Sequence, residues 1–198
     1  MSQIEELTKT FGSRAKGLEI FYLLNGLKQV VRHGFYDKEL PEVEYFCKKN
    51  HLALEKSSFK ILLTEKNGYS NKGIRIETDH PKGMLFVYIA KTQETAQQAK
   101  FFEEKGLDLP FGLLLGYPRC CVDFFCNSFN ENNTNLELRP TNIWTNTVQR
   151  NKDWVLISHF PCSSDCKESI YLAQQRWEAV KREDSHLAQE MMKNLKPS

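Results

Sequence analysis

Along residues 14–33, apolar side chains recur at helical spacing: Leu18, Phe21, Tyr22, Leu24, Leu27, Val30 and Val31. That period predicts one amphipathic helix, stopped at Gly34. Pro41 marks a second helix start, and Val43, Phe46, Cys47 and His51 continue the same spacing. The period then changes. Residues 59–64 and 84–90 are short apolar runs that predict strands, the second of them central in a sheet. Residues 73–78 alternate like a further strand, and turn residues fill 67–73 and 79–83.

Beyond the strands, Thr92 and Thr95 open a pattern through Ala96, Ala99, Phe101 and Phe102 that predicts a helix ending at Gly106. Residues 107–115 are apolar but broken by Pro110 and Gly112. Residues 127–146 are rich in Asn and Thr and predict a long surface excursion of the functional or mobile kind. Residues 154–158 predict a short strand. From Ser163 to Leu195 runs one long helical pattern with Ile170, Leu172, Ala173, Trp177, Val180, Leu187 and Met191 on its apolar side. The expected fold class is α+β: N-terminal helices, a small, mostly antiparallel central sheet, and C-terminal helices that bear the cysteines. The expected organisation is a single α+β domain over 1–198, with helices and sheet in 1–106 and the cysteine motifs in 107–198.

Charge and composition narrow the function. The chain carries 27 Lys+Arg against 25 Asp+Glu, a formal charge of +2. A dedicated nucleic-acid binder needs a basic excess or patch, and Lys181-Arg182 is offset at once by Glu183-Asp184. No long uncharged apolar run suggests a membrane span. The N-terminus has acids where a signal peptide needs bases, so the expected compartment is the cytoplasm. There, thiols stay reduced and clustered cysteines mean metal or redox chemistry.

Five of the six cysteines lie between 120 and 166. Cys47 stands apart and reads as a small core residue. The informative motifs are Gly116-Tyr117-Pro118-Arg119-Cys120-Cys121 and His159-Phe160-Pro161-Cys162-Ser163-Ser164-Asp165-Cys166. In each, a proline precedes the cysteines and a helical pattern follows. Pro118 fits a first helical turn, and Ser163 or Ser164 fits a helix cap. Free backbone amides and the positive end of a helix dipole favour thiolate there.

If the two helix starts converge, Cys120, Cys121, Cys162 and Cys166 make a four-thiolate metal site, with Cys126 as a weaker alternative ligand. His159, Arg119 and Tyr117 are candidates for its near shell, His159 as a proton-transfer group and Arg119 as an anion contact or charge balance. Spacing bears on the metal. Cys162-x₃-Cys166 suits a zinc knuckle. Adjacent residues on a helix point about 100° apart, so Cys120 and Cys121 are easier to place on the separate irons of a cubane. The leading expectation is therefore an iron–sulfur cluster, [4Fe–4S] in type, serving a redox or sulfur-transfer role with a small molecule or a protein redox partner. Two other readings stand beside it: a zinc-stabilised, non-catalytic interaction domain, and a metal-free thiol/disulfide enzyme. Catalytic residues are not identifiable. The chain has no P-loop, nucleophile elbow or His-Glu-x-x-His.

These two motifs resemble an uncharacterised family of archaeal and bacterial proteins that pairs Gly-Tyr-Pro-x-Cys-Cys with His-x-Pro-Cys-Ser-x-x-Cys. The resemblance spans residues 107–180 and implies that both cysteine pairs serve one site. It carries no activity with it.

Overall fold

The computed structural model describes residues 1–63 and 73–197, so most of the turn expected at 67–73 lies outside them. The fold is α+β, with eight α-helices and one four-stranded antiparallel sheet among the described residues. The chain divides into two compact units: residues 23–116, and a discontinuous unit of 1–22 with 117–198.

The first of these holds the sheet. Its strands are β1 (Val30–Phe35), β2 (Ala53–Leu63), β3 (Gly73–Ile76) and β4 (Met84–Ala90), in the order β1-β4-β2-β3. Strand β4 is internal, as its apolar run predicts: Val87, Tyr88, Ile89 and Ala90 are fully buried. Strand β2 shifts register between Lys56 and Lys60. There the buried Ser57 hydroxyl stands in for lost ladder bonds, donating to Phe59 O at 2.6 Å and accepting from Phe86 N at 3.0 Å. Helix α3 (Leu40–Lys49) buries Val43 and Cys47. Helix α4 (Gln93–Glu104) starts on the Thr92 cap, and the left-handed Gly106 follows it. Its Glu103 carboxylate accepts from Arg32 Nε at 3.0 Å and Tyr88 Oη at 2.8 Å, which ties it to the sheet.

Two expectations in this unit are corrected. Leu27, Val30 and Val31 do not extend the first helix. It stops at Leu24, Gly26 turns the chain at φ +73°, and Val30 opens β1 with Gly34 inside the strand. A short apolar run suits a strand or a helix equally, and only the left-handed turn separates them. Residues 107–115 are not broken by Pro110, since α5 (Asp108–Leu114) places it in the first turn, where a missing N–H costs nothing.

The discontinuous unit contains α1 (Gln3–Phe11), α2 (Arg14–Leu24) as far as Tyr22, α6 (Arg119–Ser128), a 3₁₀ turn (Val148–Lys152), α7 (Lys167–Glu183) and α8 (Ser185–Asn194). Helices α1 and α2 touch at Gly17, where a Cβ would sit 2.8 Å from the Thr8 amide nitrogen. Ile4, Leu7, Phe11, Leu18 and Ile20 are buried with Leu156, Ile157, Ala173, Val180 and Met191. Asp153 ties the two stretches of chain together. Its carboxylate accepts from the Arg14 amide and from the Ala15 amide at 3.0 Å.

Three further expectations are revised here. Residues 154–158 form no strand. Leu156 O accepts from the fully buried Arg176 at 2.9 Å, Ile157 O accepts from Arg150, and Ser158 donates to Glu19. Side chains thus satisfy this backbone where a ladder would have done. The long C-terminal pattern is two helices, broken at Asp184, which caps α8 by accepting from Leu187 N at 2.9 Å. The Asn-rich stretch is not wholly a surface excursion, because Leu136, Thr145 and Asn146 are buried. No helix among the described residues is long and apolar enough to cross a membrane.

Candidate metal centre

The turn after Gly116 ends at Pro118, whose carbonyl accepts from Cys121 N at 2.9 Å and Val122 N at 3.0 Å as α6 begins. This places Cys120 and Cys121 in the first helical turn, as expected. The second pair is set differently. Cys166 occupies the N-cap position of α7, and Cys162 lies in the preceding loop. Ser163 and Ser164 are therefore outside the cap, which corrects their assignment. They build the loop instead: Cys166 N donates to Ser163 O at 3.2 Å. Ser164 O accepts from Asn142 Nδ2 at 2.7 Å and Thr145 Oγ1 at 2.6 Å. Thr141 donates within 2.9 Å of both Ser164 Oγ and Asp165 Oδ1. The amides and hydroxyls of the Asn/Thr-rich stretch thus hold the cysteine loop in place.

The two helix starts converge. The sulfurs of Cys120, Cys121, Cys162 and Cys166 all lie within 4.8 Å of one another. Cys166 Sγ is 3.6 Å from both Cys120 Sγ and Cys121 Sγ, and the adjacent pair is 3.9 Å apart. The angular spread expected of neighbouring helical residues is thus already overcome in this first turn. Cys121 and Cys166 are buried, Cys162 is half-buried and Cys120 is exposed.

The other candidates divide. His159 is buried, its Nε2 joined to Ser169 Oγ at 2.8 Å, and Tyr117 lies over its ring with centroids 5.1 Å apart. Ser169 Oγ is in turn 3.2 Å from Cys121 Sγ, so His159 reaches the sulfurs through a hydroxyl and is not in the group of four. Arg119 turns its guanidinium to Asp123, with Nε 2.9 Å from each carboxylate oxygen. Cys126 is exposed on α6 and outside the cluster. Five residues beyond Cys121 on a helix, it points about 140° away. Cys47 is buried alone on α3, where burial pushes its thiol up to about 12.

Two residues of the site escaped the sequence reading. Ser169 is fully buried beneath the sulfurs, and Glu168 places Oε2 3.7 Å from Cys166 Sγ and 3.9 Å from Cys120 Sγ. Ser169 carries a signal that was available: the third residue after a helix N-cap faces the cap side chain.

The electrostatics define what the cluster needs. Burial, then the bonds to Cys166 and Cys162, push the Cys120 thiol up to about 11. Burial pushes Cys121 well above the ordinary thiol range, against the opposing pull of the Ser169 hydroxyl and the Cys162 amide. Cys166 is also penalised by burial, yet the hydroxyl and amide of Ser169 and the neighbouring thiols hold it below the ordinary range. Without a cation, Cys120 and Cys121 hold their protons more tightly than ordinary thiols. A divalent cation would displace them, and the starts of α6 and α7 would favour the anionic thiolates. Four soft sulfur donors on two helix starts fit a thiophilic metal.

A family model described as a protein of unknown function (DUF483) matches residues 96–196, just over half of the chain and inclusive of all four clustered cysteines. No curated protein and no solved structure matches the chain.

Proposed function

The chain belongs to this family of proteins of unknown function, and we propose that it holds a single zinc ion in a four-thiolate centre of Cys120, Cys121, Cys162 and Cys166. The observation that carries the reading is the sulfur spacing. Four sulfurs at about 2.3 Å from one ion lie about 3.8 Å apart. The three pairs among Cys120, Cys121 and Cys166 stand at 3.6, 3.6 and 3.9 Å, and Cys162 lies within 4.8 Å of each. A cubane gives each thiolate its own iron, so its thiolates stand farther apart than those on a single ion. The spacing therefore favours the zinc expectation over the leading iron–sulfur one.

A closed four-thiolate set leaves no open coordination position, and zinc has no redox chemistry of its own. The role this supports is organisation: the ion joins the start of α6, the 162–166 loop and the start of α7. Around it, Ser169 bridges Cys121 to His159, the arrangement by which a second shell orients ligands. The protein is then a metal-stabilised, cytoplasmic interaction module whose partner is a small molecule or a protein.

The iron–sulfur reading keeps one supporting observation. Cys120 is exposed and Cys162 half-buried, so the sulfur cluster is not wholly enclosed by protein. Protein purified without air and analysed for zinc, iron and acid-labile sulfide separates the two. The expected result is one zinc per chain with neither iron nor sulfide. Iron and sulfide in near-equal amount would replace zinc by a cluster, and metal-free protein would remove both readings.

A further inference from the structure

The four sulfurs are unequal in what surrounds them. Cys121 is 2% exposed and Cys166 5%, and both face hydrogen-bond donors. The Cys162 amide donates to Cys121 Sγ at 3.4 Å, and Ser169 Oγ lies 3.2 Å from the same atom. Such bonds draw charge from the Cys121 thiolate and blunt it as a nucleophile. Cys120 is the exposed member, and among the described residues its sulfur meets the neighbouring sulfurs and the Glu168 carboxylate.

Three sulfurs lie within 4.8 Å of Cys120, those of Cys121, Cys162 and Cys166. The adjacent Cys121 is unsuitable, since neighbouring Cα atoms stand about 3.8 Å apart and an unstrained disulfide needs about 4.4 Å or more. Cys162 and Cys166 both belong to a separate stretch of chain, and of these Cys166 has its sulfur in contact at 3.6 Å and flanked, like that of Cys120, by Glu168. The local field also selects the reagent. Glu168 Oε2 flanks both sulfurs, and the nearby guanidinium of Arg119 is engaged by Asp123. Anionic oxidants and alkylating agents are repelled there, whereas a small neutral oxidant is not.

We propose that Cys120 is a redox modification site: hydrogen peroxide oxidises it, Cys166 resolves it as a disulfide, and the metal is released. This rests on the four-thiolate reading. In the first step the Cys120 thiolate attacks one peroxide oxygen. The S–O bond forms as the O–O bond breaks, and the departing hydroxide takes a proton and leaves as water. In the second step the Cys166 thiolate attacks the Cys120 sulfur. The S–S bond forms, the S–O bond breaks, and the hydroxide is again protonated to water. Two sulfurs have lost two electrons to one peroxide. Two of the four ligands are gone, and the remaining pair does not retain the ion.

The test loads the full chain with zinc, adds hydrogen peroxide, and follows zinc release with a chromophoric indicator while peptide mapping identifies the first disulfide. The expected result is one zinc released per disulfide formed, with Cys120–Cys166 as the first bond. Cys120→Ala should slow peroxide-driven release about tenfold. Where that variant fails to load zinc, the mapping on the unsubstituted chain decides alone. A first disulfide other than Cys120–Cys166, a Cys120–Cys162 bond included, or release unchanged in a loaded Cys120→Ala protein, overturns the proposal and leaves the metal centre standing. Failure of the unsubstituted chain to take up zinc overturns the metal reading instead.

Discussion

The two units bury cysteine in opposite ways. In the sheet unit, Cys47 sits 2% exposed on α3 as a small apolar side chain, and burial, with the Glu44 carboxylate adding to it, explains its raised thiol. In the cysteine unit, Cys121 is equally buried but faces two sulfurs, a serine hydroxyl and a backbone amide. The sheet unit is held by paired strands and apolar packing, whereas the cysteine unit joins two helix starts through irregular chain. A buried thiol among hydrocarbon completes a core, while buried thiols among donors and one another call for a cation.

The largest effect that sharpens this contrast is metal removal. Structural zinc contributes about 10–16 kcal/mol of apparent binding free energy near neutral pH. Chelation should raise amide hydrogen exchange over residues 119–128 and 162–169 and leave β1, β2 and β4 protected. Equal loss of protection in both units would break the comparison.

Next is the buried cation of the cysteine unit. Arg176 is fully buried, 3.6 Å from Glu19, against the Tyr22 ring and bonded to Leu156 O. Arg176→Ala removes the buried cation beside the Glu19 carboxylate and should cost about 3–5 kcal/mol in denaturant unfolding. A cost within a few tenths would show that this interior is tolerant of lost charge pairing.

A third change tests the donors around the sulfurs. Ser169→Ala removes the hydroxyl between His159 and Cys121 and should weaken zinc affinity about 10–100-fold in a competitive chelator titration. Cys47→Ala should leave the affinity unchanged. If the two variants behave alike, the surroundings of the thiols do not matter.

The smallest effect lies at the helix break. Asp184 is held below the ordinary carboxylate range by its bond from the Leu187 amide, outweighing burial, with Ser2 adding a further bond. Its stabilisation is present above the unfolded value near about pH 4 and is lost as pH falls through the lowered folded value. Asp184→Ala should cost about 1 kcal/mol at neutral pH and flatten that acid limb.

Much of this was legible in the sequence where one residue type imposes one geometry. Prolines marked the starts of α3 and α6, Thr92 capped α4, and the apolar run of β4 fixed an internal strand. The four cysteines were identifiable from their turn contexts, and the fold brings their sulfurs together. Other features were hidden because the relevant partner is remote in sequence. Nothing in residues 154–158 indicates that Arg150 and Arg176 satisfy their carbonyls, and nothing in residues 141–145 indicates that they bind Ser164 and Asp165. The adjacent cysteines were judged awkward for one ion from ideal helix geometry, yet their sulfurs stand 3.9 Å apart.

The central claim, one ion on four sulfurs, is tested most directly by X-ray absorption at the metal edge of the loaded full-length protein. The account predicts a zinc edge with four sulfur neighbours at about 2.3 Å and no second metal nearby. A metal–metal distance, or nitrogen and oxygen in place of two or more sulfurs, would contradict it.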